Sequence, residues 1–312
     1  MNYGPSRRKV ETVATGAAEV SAIVVTYNAK PWIEPCLESV RGCELIVVDN
    51  GSSDGTPELV RDRFPEARLI EQQNRGLGAG WNAGMRAASG KWFFLLNADA
   101  WVVADGIAKL VEALENDPKA AVAGPRLCNQ DGTLQRSVRG FPTLWRLATE
   151  YFFLRKLGPR TRMLNAFYGA GFHHDRELEA EFLMGAALLV RPQAVAEIGD
   201  LDERFFLFSE EVDWCWRFRQ AGWKILFTPA AEVVHVGGAS HEGRRFREQV
   251  QGHLLFLEKH RGVRTAQAAR RLLALALTLR GAVFTGERGR NYRDAARWRR
   301  TGSLEEVLAW RR

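Results

Sequence analysis

Cysteine is scarce in this sequence. The four present, Cys36, Cys43, Cys128 and Cys215, form neither a CxxC pair nor a run with metal-ligand spacing. A disulfide framework and a zinc site are both excluded as organising features, and reduced, buried thiols are expected. Long apolar runs are also missing. Residues 1–18 carry Arg7, Arg8 and Lys9, but no apolar stretch of the roughly 7–15 residues that a secretory signal needs. The run 272–279 ends at Arg280, far short of the roughly 20 residues that cross a bilayer. The expectation is a cytoplasmic protein without a membrane span, in which 1–18 form a flexible leader. Fixed-period repeats and low-complexity segments are absent as well.

Acidic charge is thin at one end. Residues 241–312 hold 17 Lys and Arg against 7 Asp and Glu, so this stretch alone exceeds the formal charge of +7 carried by all 312 residues. The basic character is regional, and nucleic acid, anionic lipid and water all remain open as its counterpart.

What is present is an alternation of short β-branched runs and helical stretches. VSAIVVT at 20–26 reads as a buried parallel strand, and Pro31 opens a helix with Trp32, Ile33, Leu37 and Val40 on its apolar side. ELIVV at 44–48 leads through GSSDGT to a helix at 57–63, and a short strand at 67–70 leads to a Gly-rich helix at 77–88. WFFLL at 92–96 continues the pattern. Such repeated βαβ units imply an α/β fold, a Rossmann-like mixed, mainly parallel sheet flanked by helices. A helix is expected at 105–114, a strand at 121–124 and a hairpin turn at 129–132 (NQDG). Residues 141–179 lack a sustained period and read as a partly helical excursion walling a cleft. FLMGAALLV at 182–190 reads as one buried strand, followed by helices at 192–198 and 209–221 and a strand at 224–227. Beyond His241 the text is helical and Arg-rich.

In an open α/β sheet, ligands bind outside the carboxyl ends of the strands. Those ends are polar here: Thr26, Tyr27 and Asn28 after the first strand, Asp49, Asn50, Ser52, Ser53 and Asp54 after the second, Asn97 and Asp99 after the fourth. Each alone is a common turn, but three at one sheet edge suit a diphosphate and a divalent cation held through oxygen ligands. Asp99 is the better ligand, since Asn97 offers only a neutral carbonyl. Two nucleotide motifs fail: GMRAASGK at 84–91 has the wrong spacing for a phosphate loop, and GLGAGW at 76–81 lacks the third glycine of GxGxxG. Downstream, FFLFSEEVDWCWR at 205–217 sets Glu210, Glu211 and Asp213 among aromatics, a setting that desolvates carboxylates and raises their proton affinity. As ordinary helix chemistry, Ser209 would cap the helix and Asp213 with Arg217 would form a surface pair. His235 follows a strand-like approach and precedes two glycines.

In order along the chain, VVTYNA, VVDNGSSDGT, NRGLGAGWNAG, FLLNADA, EFLMGAALLVR, GDLDERFFLFSEEVDWCWR and VVHVGGAS resemble the family 2 glycosyltransferases of GT-A fold, most closely the bacterial rhamnosyltransferase-like branch, over about 20–240. The resemblance implies a GT-A catalytic domain at 19–240, with a nucleotide-binding half at about 19–100 and an acceptor-binding half at about 101–240. Residues 241–312 would then be a basic helical C-terminal extension. It puts the donor nucleotide against Thr26, Tyr27 and Asn28, has Asp49 read a pyrimidine base, and lines the pocket with Arg75 and Asn82. Asp99 and His235 would ligate Mg2+ or Mn2+, and Asn97 stands where the family's DxD motif begins. Glu211 falls at the catalytic base, with Glu210 or Asp213 open as alternatives. The implied reaction is inverting transfer from a nucleoside-diphosphate sugar, dTDP-L-rhamnose first, to a saccharide or lipid-linked acceptor. A sugar nucleotidyltransferase is the alternative. A nucleic-acid binder stacking bases on Tyr292, Trp298 and Trp310 is a remote one, since it leaves the strand-end clusters unexplained. For the segment 266–283, which places Leu272, Leu273, Leu275, Leu277 and Leu279 near Arg270, Arg271 and Arg280, two readings stay open: a helix on an anionic membrane surface, or one packed on the catalytic domain.

Overall fold

A computed structural model describes residues 17–158, 161–165, 167, 171–237 and 245–301. Most of the leader, Gly238, Ala239 and Ser240 of the last matched segment, and Trp310 lie outside the described residues. Strand β1 (Val20–Thr26) runs parallel to β2 (Glu44–Asp49), and β2 runs parallel to β3 (Arg68–Glu71). The chain then returns to the other side of β1 as β4 (Trp92–Asn97), again parallel. The reversal of direction at β1 opens a crevice at the carboxyl ends of β1 and β4, where an open sheet binds ligands. Helices α1 (Lys30–Glu38) and α2 (Thr56–Arg63) each start with a proline in the first turn, where the missing N–H costs nothing. Helix α3 (Leu77–Ala87) lies so close to β1 that a Cβ on Gly80 would come within 2.6 Å of Val25, and one on Gly84 within 2.2 Å of Ile23. The Gly-rich segment is a packing surface, not a phosphate loop.

The second half is mixed. A short strand β5 (Ala100–Val103), not anticipated from the sequence, precedes α4 (Gly106–Asn116) and β6 (Ala120–Cys128). The expected NQDG turn joins β6 to β7 (Leu134–Gln135), with Gly132 at φ 81°. Strand β8 (Val138–Arg139) precedes the excursion, in which helices α5 (Leu144–Tyr151) and α6 (Arg162–Asn165) and strand β9 (Leu178–Glu179) form, and α5 packs on a C-terminal helix instead of walling the crevice. FLMGAALLV is two strands: β10 (Phe182–Leu183) pairs with β8, and β11 (Ala187–Val190) inserts antiparallel between β4 and β6. Helices α7 (Pro192–Ile198) and α8 (Glu210–Gln220) follow. The two strand-like stretches after α8 are a single β12 (Lys224–His235), parallel to β6 and antiparallel to β5. The main sheet reads β3-β2-β1-β4-β11-β6-β12-β5.

Alternation along β1 builds both cores. Ala22 and Val24 face α1 and α4, while Ile23 and Val25 face the side of α3 and α8. That second core continues into α9 (Arg245–Arg261), α10 (Val263–Val283) and α11 (Gly286–Thr301), through buried Val250, Leu254, Phe256, Leu273, Leu277 and Ala295. Helix α10 therefore buries Leu273 and Leu277 against the protein and turns Leu275 and Leu279 outward. Tyr292 is buried beside Phe284, so it is no platform for a base.

Candidate active site

The crevice is a cavity of about 410 Å³. Thr26 and Tyr27 enter it from β1, Asn50 from the loop after β2, and Asn97, Ala98 and Asp99 from the β4–β5 turn. Gln135 and Arg139 come from β7 and β8, Met184 to Ala186 from the break between β10 and β11, and Glu210 and Glu211 from the first turn of α8. His235 and Gly237 close it at the end of β12. The Thr26 hydroxyl is buried there without a partner, an oxygen that a bound ligand would satisfy.

Pairing of β12 with β5 sets His235 opposite Ala100, and its imidazole Nε2 thus reaches 3.3 Å from Asp99 Oδ1. On the ring's other side, Nδ1 donates to Gln135 Oε1 at 2.6 Å. The Gln135 amide cannot turn over without loss, because its Nε2 donates to Asn129 Oδ1 at 3.1 Å. With Nδ1 donating to Gln135, the neutral ring carries its lone pair on Nε2, the atom beside the Asp99 carboxylate and the one through which it would ligate a metal. An imidazole nitrogen and a carboxylate oxygen this close are a donor set that fits one divalent cation, its remaining positions being left to ligand oxygens. Gln135 had no signal in the sequence.

The two acids of α8 share a desolvated corner. Each has one carboxylate oxygen buried without a hydrogen-bond partner. Burial, with the neighbouring Glu211 and Glu248 charges, pushes Glu210 well above the usual carboxylate range. Burial also raises Glu211, but Arg139 and backbone N–H groups, including that of Gly185, pull against it. Of the two, only Glu211 has a cation, Arg139, whose charge favours its ionised form. A Cβ at Gly185 would press on the Trp81 ring at 3.0 Å and touch Glu211 at 3.5 Å, so glycine gives the strand break room beside both. Ahead of the helix, Phe208 and Ser209 both have left-handed backbone, with φ of 67° and 73°. Ser209 stands at the N-cap position without capping through its side chain, contrary to expectation. The strain, roughly 1–2 kcal/mol per residue, is held by α9, whose Gly252 lies against Phe208 and Ser209.

Other expected residues lie elsewhere. Asp213 is wholly buried and takes Arg217, Lys259 and His260 around its carboxylate, at 2.9, 2.7 and 2.7 Å. It is a node joining α8 to α9, neither a surface pair nor part of the cavity lining. Asp49 is buried, with its oxygens accepting from the Gly51 and Ser52 N–H groups and the Ser52 hydroxyl, and Asn28 accepts from the Ser53 N–H. Both shape the loop after β2 and neither lines the cavity. Asn82 bonds the Leu201 backbone, and Arg75 pairs with Glu203 at the surface; they too are outside the lining.

Residues 21–175 match the family described as glycosyl transferase family 2. Over 230 residues, 68% of this chain and 74% of the relative, the sequence is 31% identical to an N-acetylglucosaminyl-diphospho-decaprenol L-rhamnosyltransferase of Mycobacterium tuberculosis. The chain belongs to glycosyltransferase family 2. The fold of this glycosyltransferase is shared with GalNAc-T7 crystallised with UDP, GalNAc and Mn2+, at a TM-score of 0.60 and 14% identity over 95% of this chain and 58% of that longer one. It is shared also with the mannosyltransferase PcManGT from Pyrobaculum calidifontis in complex with GDP-Man and Mn2+, at a TM-score of 0.53 and 16% identity, covering 95% and 87% of the two chains. These likenesses bear on the fold alone, the GT-A arrangement of a mixed sheet with flanking helices. Among the described residues no cluster of three or more metal-ligating side chains occurs, so Asp99 and His235 stand as a pair.

Proposed function

We propose that this glycosyltransferase moves a sugar, with inversion, from a nucleoside diphosphate to a hydroxyl of a lipid-linked saccharide. The observation that carries the reading is the meeting of Glu211 with the Asp99–His235 pair around one cavity at the sheet's switch point. Thr26, Tyr27 and Asn50 line the end nearest β1 and β2, the side assigned to the nucleotide. Asp99 and His235 would hold a divalent cation, whose positive charge would favour departure of the nucleoside diphosphate. Glu211 takes the proton of the acceptor hydroxyl as that oxygen bonds to the anomeric carbon. The bond from that carbon to the phosphate oxygen breaks, and its electron pair leaves with the nucleoside diphosphate. Arg139 favours the ionised form of Glu211, while burial and the Glu211 charge disfavour that of Glu210.

The Mycobacterium relative supports L-rhamnose as the sugar and a lipid diphosphate saccharide as acceptor, and the nucleotides and Mn2+ held by the two solved enzymes support the donor class and the cation. A thermal-shift screen of nucleotide sugars with Mn2+ tests the reading. dTDP-L-rhamnose should raise Tm in a Mn2+-dependent way, and the transfer assay should release nucleoside diphosphate. Release of pyrophosphate, or no response to any nucleotide sugar, overturns it.

A further inference from the structure

We infer that the outward side of α5, α6 and α10 is a docking surface for an anionic lipid bilayer. Among the described residues, every large apolar side chain that is exposed lies on these elements or on the loop following α5. Trp145 is on α5, Leu157 on that loop, Met163 on α6, and α10 carries the rest, including Leu275, Leu279 and Val283. The last three are 57%, 50% and 75% exposed and fall at spacings of four, one stripe along the helix. The opposite stripe, Ala269, Leu273, Ala276 and Leu277, is buried in the core, so α10 is fixed with its second apolar face outward. Arg280 fastens it there: its guanidinium donates to the carbonyls of Tyr151 and Glu150 at the end of α5. The Trp145 indole donates to the Met163 carbonyl at 2.7 Å and ties α5 to α6.

Charge selects the occupant. α5, α6 and α10 together contain one acidic residue, Glu150, and its carboxylate is bound by Arg155. Arg264 and Arg271 are exposed on α10, and Lys156 is exposed beside Leu157. An apolar stripe flanked by cations and empty of unpaired acid matches the boundary between anionic headgroups and acyl chains. A second copy of the chain docked face to face would set cation against cation with no acid to answer it. No helix among the described residues is long and apolar enough to cross a membrane, so the attachment is interfacial. Its use rests on the lipid-linked acceptor proposed above: an enzyme held at the bilayer meets such an acceptor in two dimensions.

The test is flotation of the full chain with vesicles of phosphatidylglycerol mixed into phosphatidylcholine, and of phosphatidylcholine alone, at low salt without donor or acceptor. The wild type should bind the anionic vesicles at least about tenfold tighter than the neutral ones, and Leu275→Glu/Leu279→Glu should lose about tenfold or more. Arg264→Glu/Arg271→Glu should weaken binding to anionic vesicles and leave the apolar stripe intact. Unchanged Tm and nucleotide-induced shifts would show that both variants are folded. Equal binding to both vesicle types, no binding to either, or wild-type binding by the Leu variant overturns the inference. So does a dimer by ultracentrifugation that the Leu variant makes monomeric. Because the assay contains no acceptor, vesicle binding that persists when a lipid-linked saccharide is refused refutes the proposed acceptor and leaves the docking surface standing.

Discussion

His235 and Asp99 face each other at 3.3 Å because an edge strand of four residues, β5, lays Ala100 opposite His235 on β12. The imidazole is oriented from behind by Gln135, itself tethered to Asn129 in the hairpin turn between β6 and β7. A turn at the rim of the sheet thus orients a side chain that lines the cavity. Orienting partners of this kind tune ligand basicity as well as position.

Gln135→Leu should therefore weaken Mn2+ binding by about 10–100-fold in the presence of nucleoside diphosphate, with nucleotide binding in the absence of metal unchanged. Isothermal calorimetry reads both. Asp99→Ala should remove the metal dependence of nucleotide binding altogether. A Mn2+ titration of Gln135→Leu that overlays the wild type would remove the orienting role.

The two acids of α8 should respond oppositely to the same substitution. Glu211→Gln removes the proposed proton acceptor and should lower kcat by about 10² or more, while Glu210→Gln, an amide in place of a carboxyl whose charged form burial disfavours, should stay within about tenfold. A base works only when ionised, and burial raises Glu211, so the acidic limb of the rate profile should lie above the ordinary value of 4.5. Arg139 holds the Glu211 pKa down. Replacing it by Met should move that limb to higher pH, and a limb that stays in place or moves to lower pH would contradict the assignment of Glu211.

Stability should report on Glu210 independently of turnover. Its folded pKa lies well above its unfolded one, so the folded protein binds the extra proton, and stability falls as pH rises from about 4.5 through the folded value. Glu210→Gln abolishes that loss. The Tm difference between this variant and the wild type should thus grow in the variant's favour between pH 5 and pH 8, by about 2 °C or more. A constant difference across that range would mean that Glu210 ionises freely.

The parallel half was legible because its strands are buried on both faces and so appear as unbroken runs, VSAIVVT, ELIVV and WFFLL. The same signal misleads at FLMGAALLV, where Gly185 breaks an equally apolar run to clear Trp81 and Glu211. AWVV of β5 was too short to stand out against the turn before it. Asp213 looked like a surface acid because its i, i+4 partner Arg217 is visible in the sequence, whereas Lys259 and His260, which bury it, arrive from α9. Gln135 acquires its role only through the pairing of β7 with β6, a tertiary fact with no local sequence mark.

The Gly-rich helix offers the sharpest test of packing against motif. If Gly84 exists to let α3 lie on β1, then Gly84→Ala forces a methyl to within 2.2 Å of Ile23 Cγ2 and should cost about 1–3 kcal/mol in urea unfolding. Removing the obstructing side chain should return part of that cost, so the Ile23→Ala/Gly84→Ala pair should be more stable than the sum of its single effects predicts, with a coupling of at least about 0.5 kcal/mol. Strict additivity would mean that the two do not touch. Because Gly76 and Leu77 at the start of α3 line the cavity, the same single variant should also weaken nucleotide binding, and the Ile23→Ala partner should restore it in proportion to the recovered stability. A glycine needed by the ligand itself would show no such rescue.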